Sequence, residues 1–362
     1  MRDNKEIHKL YWLWLCNIGR VGRACIERLL EEFETPENIY KQEKVEWFTD
    51  AMSESFANSK KEKWLKIYKG IYEKGIKIIT VDDEEYPRRL ECLADKPYIL
   101  YVKGNLPSEK MPTCGIVGAR NCTRYGAEFA RAIGAVLAEN GIQVISGMAR
   151  GIDCESQKGA LEAGGSSFGI LGTGVDICYP RENIRVYEKL QQNGGVISEL
   201  FPGTPGNPGF FPMRNRIISA LSDKLVVVEA KEKSGSLITV DFALEQGKDV
   251  FGLPGRITDE LSKGVNNILK QGAGMLTKPE DILDEYEISH GGRVAYLDKT
   301  KILLAEREKL VYSKLDLEAK NLQLIIEETG FTIPELSDAL LELQMKGLVV
   351  ECGKNYYARS KI

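Results

Sequence analysis

Over roughly the first 70 residues, apolar side chains recur three and four positions apart. Leu10, Leu13, Trp14 and Ile18 form one series, and Val21, Cys25, Ile26, Leu29 and Leu30 form the next. That spacing collects them on single helix faces, so residues 1–75 are expected to form a small helical domain. The turn between the two series, Asn17-Ile-Gly-Arg-Val-Gly22, has the pattern of a helix–hairpin–helix (SAM-like) unit. Its free amides can hold a phosphate, or the turn can be a plain helical corner.

Beyond Gly75 the period shortens. Ile76–Val81 and Pro97–Val102 read as strands, and the Pro107/Pro112 stretch marks a boundary. After it, short apolar runs alternate with glycine turns and amphipathic stretches. The pattern predicts strands over 114–118, 142–146, 167–171, 195–199, 224–229 and 249–253. It predicts helices over Tyr125–Asn140, Asp153–Ala163, Ile184–Gln192, Arg214–Leu221 and Leu237–Gln246, with one more helix and a short strand within 264–273. Strand, glycine turn and helix in repetition specify an α/β fold: a doubly wound, mostly parallel, extended Rossmann-like sheet spanning 76–290. A polar linker over 291–300 leads to 301–362. There helical segments followed by two short strands about Gly353 spell a winged helix.

Composition narrows the chemistry. Net charge is −4, and Pro112–Arg256 holds 15 Lys/Arg against 15 Asp/Glu, so any cationic site must be local. The eight cysteines include no Cys-x-x-Cys pair, and the two histidines, His8 and His290, lie outside the glycine loops. These disfavour a zinc ribbon, a histidine triad or a histidine metal site, so no metal is expected. No apolar run reaches spanning length, which predicts a cytoplasmic protein without membrane attachment.

Of the 35 glycines, 22 lie between Thr113 and Gly255, in turns expected at the carboxyl ends of the strands, where doubly wound sheets hold ligands. Basic residues follow several of those strands: Arg120 and Arg124 after the first, Arg150 after the second, Arg181 and Arg185 after the third. The Pro/Gly-rich loop 202–212 then delivers Phe210 and Phe211, followed by Arg214-Asn215-Arg216 at an expected helix start. Arginines at a helix N-terminus oppose its dipole unless an anion sits there, and neighbouring aromatics can stack bases. Alternatively, Phe211 staples the helix to the core and an arginine pairs with Glu199 or Glu229. Ser234-Gly235-Ser236 can cap the next helix or donate to a phosphate. No Gly-x-Gly-x-x-Gly follows the first strand and no P-loop occurs, so no dinucleotide or triphosphate cofactor is expected.

Four motifs in order resemble the DNA-processing protein A (DprA/Smf) family: Ser146-Gly-Met-Ala-Arg-Gly-Ile-Asp153, Gly172-Thr-Gly-Val-Asp-Ile-Cys-Tyr-Pro180, Phe211-Pro-Met-Arg-Asn-Arg-Ile-Ile218 and Val228-Glu-Ala-Lys-Glu-Lys-Ser-Gly-Ser-Leu-Ile-Thr239. The resemblance implies sequence-independent binding of single-stranded DNA without catalysis. It also implies protection of incoming strands in natural transformation, loading of a RecA-type recombinase, and a homodimer. By motif, Arg120 and Arg214-Asn215-Arg216 would meet phosphates, with Phe210 and Phe211 beside the bases. The chain departs from the family in Asn207-Pro208-Gly209, where a basic residue is common, and in Ala119, where a hydroxyl is usual. The rival reading is a nucleotide hydrolase similar to the phosphoribohydrolases, whose Pro-Gly-Gly-x-Gly-Thr-x-x-Glu motif is absent here.

Overall fold

The structure is a computed structural model that describes residues 2–286, 306–316, 319–346 and 348–359. The expected linker 291–300, His290 and Gly347 lie outside the described residues. Residues 1–292 form one compact unit and 293–362 a second.

The first unit opens with helices α1 (Arg2–Leu15), α2 (Arg23–Phe33), α3 (Pro36–Lys41), α4 (Asp50–Ser59) and α5 (Trp64–Glu73). Their core of Trp14, Leu15, Ile26, Leu29, Ile39 and Phe56 is fully buried. The hairpin strands β1 (Lys77–Thr80) and β2 (Ile99–Gly104) follow, then the doubly wound succession. This comprises β3 (Thr113–Val117), α6 (Arg124–Glu139), β4 (Gln143–Ser146), α7 (Ile152–Glu162), β5 (Ser167–Ile170), α8 (Ile184–Gln192), β6 (Gly194–Ser198), α9 (Phe210–Ala220), β7 (Lys224–Val227), α10 (Gly235–Glu245), β8 (Asp249–Gly252), α11 (Glu260–Lys270) and β9 (Gly274–Met275). The nine strands form one sheet in the order β1-β2-β6-β5-β4-β3-β7-β8-β9. All pairs from β6 to β9 are parallel; β2 runs antiparallel to both β6 and β1.

Strands β3 to β6 are buried along their whole length, as expected when helices cover both faces of a parallel sheet. The tightest helix contact joins α6 to α7. A Cβ on Gly134 would collide with the Ser156 carbonyl, and one on Gly159 with the Arg131 carbonyl. The helical N-terminal residues meet the β1–β2 edge. Leu13, Tyr68 and Ile71 pack with Ile78 and Tyr101, and Trp12 Nε1 donates to Asp82 at 2.6 Å. At the α1–α2 corner Asn17 donates to Leu13 O, and Arg23 donates to Lys96 O at 2.6 Å. Arg20, in the turn itself, is exposed.

One expected boundary is corrected. Helix α9 starts at Phe210, four residues before the expected Arg214, because Pro212 falls within the first turn, where a missing N–H costs nothing. The second unit contains α12 (Glu306–Lys314), β10 (Lys320–Asn321), α13 (Leu322–Thr329), α14 (Ile333–Met345), β11 (Val349–Gly353) and β12 (Tyr356–Arg359). Its three strands pair antiparallel in the order β10-β12-β11 around a core that includes Val311, Ile325, Leu336, Leu340 and Leu343.

Candidate functional site

Winding reverses at β3. The chain passes from β3 through β4 and β5 to β6 on one side, and from β7 through β8 to β9 on the other. Loops therefore diverge at the carboxyl ends of β3 and β7 and leave a crevice, the usual ligand position in such sheets. A cleft of about 820 Å³ lies there. It is lined by Gly118–Asn121 after β3, Ala149 and Asp153 after β4, Tyr179 after β5, Lys231 and Lys233 to Ser236 after β7, and the first turns of α9.

Arg214 forms the floor. Its guanidinium is buried and donates through Nη1 to Gly147 O at 2.6 Å and to Ile170 O. A Cβ on Gly147 would stand 2.7 Å from the Arg214 Cζ, so glycine here makes room for the arginine itself. Asp153 caps the same turn, accepting from Gly147 N at 3.1 Å and Ala149 N at 3.4 Å. Burial pushes the Asp153 carboxyl up, and Arg214 opposes that shift. Burial likewise pushes Arg214 down to about 10, with Asp153 opposing, so the guanidinium stays charged at neutral pH.

The expected joint use of Arg214 and Arg216 is corrected by the same helix. Residues two apart on an α-helix are separated by about 200° and face nearly opposite ways. Arg216 points away from the cleft and is buried between Asp95 and Glu199, with 2.7 Å contacts to each. The alternative pairing with Glu199 is the one adopted. Because α9 begins at Phe210, neither arginine sits in the first turn, and the dipole argument for an anion there lapses.

Phe211 forms one wall. The Arg120 guanidinium lies over its ring at 5.5 Å, and the Tyr179 ring lies 5.4 Å from it, tilted 31°. Gly172 permits this, since a Cβ there would sit 2.7 Å from Phe211 Cδ1. Arg120 is exposed and makes no ion pair among the described residues. Opposite, Asn215 Nδ2 donates to Gly235 O at 3.1 Å and ties α9 to α10. The Ser234 hydroxyl accepts from Ser236 N at 3.3 Å as the α10 cap. Lys231 and Lys233 stand exposed on the cleft margin, while Glu260 on the same margin pairs with Lys263.

Other expected members of the site lie elsewhere. Phe210 is half-buried and does not line the cleft. Arg124 pairs with Glu128 on α6, and Arg150 pairs with Glu182 at 3.4 Å. Arg181 and Arg185 are exposed but outside the cleft. Residues facing a common edge in sequence thus spread over a wider surface, and only Arg120, Phe211, Arg214, Asn215 and Ser234 to Ser236 come together. Sequence reasoning missed Tyr179, Lys231 and Lys233. Their signals were an aromatic residue in the third glycine loop and two lysines directly after β7.

A doubly wound sheet whose switch-point crevice carries an uncompensated arginine, two rings packed together and a helix N-terminus defines a Rossmann-like binding protein suited to an anionic, base-bearing ligand. The profile of the DNA recombination-mediator protein A family matches residues 77–287, the stretch that builds this sheet and crevice, and the chain belongs to that family. It is 31% identical to Protein Smf of Synechocystis sp., across 96% of this chain and 98% of that protein. Among solved structures it resembles DNA processing protein A from Streptococcus pneumoniae, with TM-score 0.63 and 32% identity over 77% of this chain and 99% of that one. It also resembles DNA processing protein A from Helicobacter pylori, which binds single-stranded DNA, with TM-score 0.52 and 29% identity over 58% and 95%. Among the described residues no helix is long and apolar enough to cross a membrane.

Proposed function

We propose that the chain binds single-stranded DNA without sequence preference and passes it to a RecA-type recombinase, protecting incoming strands in natural transformation. The observation that carries this reading is the Arg120–Phe211–Tyr179 cluster at the cleft mouth, a cation over one ring and a second ring tilted against it. A cation beside an exposed ring, Tyr179, and a half-buried one, Phe211, suits the alternating phosphates and bases of a strand, whatever its sequence. Phosphates would meet Arg120, Lys231, Lys233 and the head of α10, with a base against Phe211. Arg214 would act from below, fixing the turn that carries the site. The similarity to the Helicobacter pylori protein supports the same ligand.

The proposal extends to a cytoplasmic homodimer that performs no catalysis. Asp153 and Glu229, the carboxylates nearest the cleft floor and the β3 loop, are occupied with backbone amides and Thr123, which favours binding over turnover. It also divides the chain into a helical domain (1–75), the sheet domain (76–290), a linker (291–300) and a winged helix (301–362). The test is anisotropy of fluorescent thymidine oligonucleotides of increasing length against thymidine monophosphate. Affinity should rise with length. Equal affinity for the mononucleotide, or release of free base from it, would replace this reading with the hydrolase.

A further inference from the structure

A second concavity, of about 780 Å³, lies between α1 and α5, with Tyr40 of α3 at its base. Its mouth is aliphatic. Ile7 and Leu65 border it with 46% and 54% of their surfaces exposed, side by side with the partly buried Leu10. One wall is cationic: Lys63, Lys66 and Lys69 all line the groove, and none makes an ion pair among the described residues. Glu62 and Glu73 border it as well, before and at the last residue of α5. None of these groups belongs to the DNA cleft.

We propose that this groove docks an acidic amphipathic helix of a protein partner. The lysines supply the charge argument. Spaced three residues apart, from Lys63 at the α5 N-cap to Lys69 within it, they run about 9 Å along the helix axis. A docked helix presents carboxylates at positions i and i+7 about 10 Å apart, which matches the wall. Its apolar stripe would enter between Ile7 and Leu65, the helix-in-groove mode of recognition. A nucleic acid strand fits less well, because the mouth is formed by the exposed aliphatic side chains Ile7 and Leu65 rather than by rings, and Trp14 on the groove wall is itself buried.

The test uses the full chain and two fluorescent peptides of about 15 residues, long enough for helix formation. Both carry leucines at i, i+3, i+4 and i+7; one is flanked by glutamates, the other by lysines. The glutamate peptide should bind and the lysine peptide should not. Lys66→Glu with Lys69→Glu should weaken the first about ten-fold or more and create binding of the second. Leu65→Glu, at an exposed position, should abolish both. Thymidine-oligonucleotide binding should be unchanged in all variants, which separates this site from the cleft. Equal binding of the two peptides, binding of neither, or displacement of the peptide by oligonucleotide would overturn the proposal.

Discussion

Replacing Arg214 by alanine separates two roles that the sequence alone runs together, ligand contact and internal support. The wild-type side chain is 5% exposed and donates to two backbone carbonyls, Gly147 O and Ile170 O. Hydrogen bonds from a charged group contribute about 1.5–3 kcal/mol each. Buried Asp153 makes no ion-pair contact with Arg214 but feels its charge, so the two lost hydrogen bonds set the scale of the effect. The expected loss is therefore about 3–5 kcal/mol. At about 1.6 °C per kcal/mol for a unit of 292 residues, Tm should fall by roughly 5–8 °C. The effect should also depend on pH. Burial already holds the Asp153 carboxyl above its ordinary value, and without Arg214 it rises further. A raised folded-state value means that stability is full below the unfolded value and is lost as pH rises through the folded one. The variant should thus be less impaired near pH 4 than near pH 7. Circular-dichroism melts at both pH values measure this. An unchanged Tm combined with lost DNA affinity would refute the support role and place Arg214 on the ligand.

Phe211→Ala should weaken oligonucleotide binding by about 1–3 kcal/mol, one base stack, read by anisotropy. Gly172→Ala should produce much of the same loss by pushing the Phe211 ring aside, since the added carbon would stand 2.7 Å from it. Arg181→Ala with Arg185→Ala should leave affinity within about two-fold, because both lie outside the cleft. With a thiol reagent at neutral pH, exposed Cys92 and Cys352 should react at once. Cys114 and Cys154, buried and pushed up to about 12 and about 11, should react only after unfolding.

Local pattern carried most of the sheet. The central strands and helices other than α9 fall within a residue or two of their expected limits, because buried parallel strands read as short apolar runs. Pairing was not legible: nothing in Ile99–Gly104 says that it joins β6 antiparallel. The start of α9 was hidden because Pro212, which suggests a loop, is equally at home in a first turn. The site shows the same division. Arg120 and Phe211 could be placed from their motifs, whereas the use of Arg216 depends on Asp95, 121 residues away. The glycines of the second and third turns lie where a ligand was expected. Gly147 and Gly172 instead make room for Arg214 and Phe211, side chains of this chain.

The central claim is that a DNA strand lies on Arg120 and its neighbours, and the most direct test is the salt dependence of oligonucleotide affinity for wild type and Arg120→Ala. For single strands the log–log slope changes by about 0.7 per phosphate contact. The account predicts an unchanged Tm, weaker binding, and a slope shallower by about that amount. Affinity and slope both equal to wild type would contradict it.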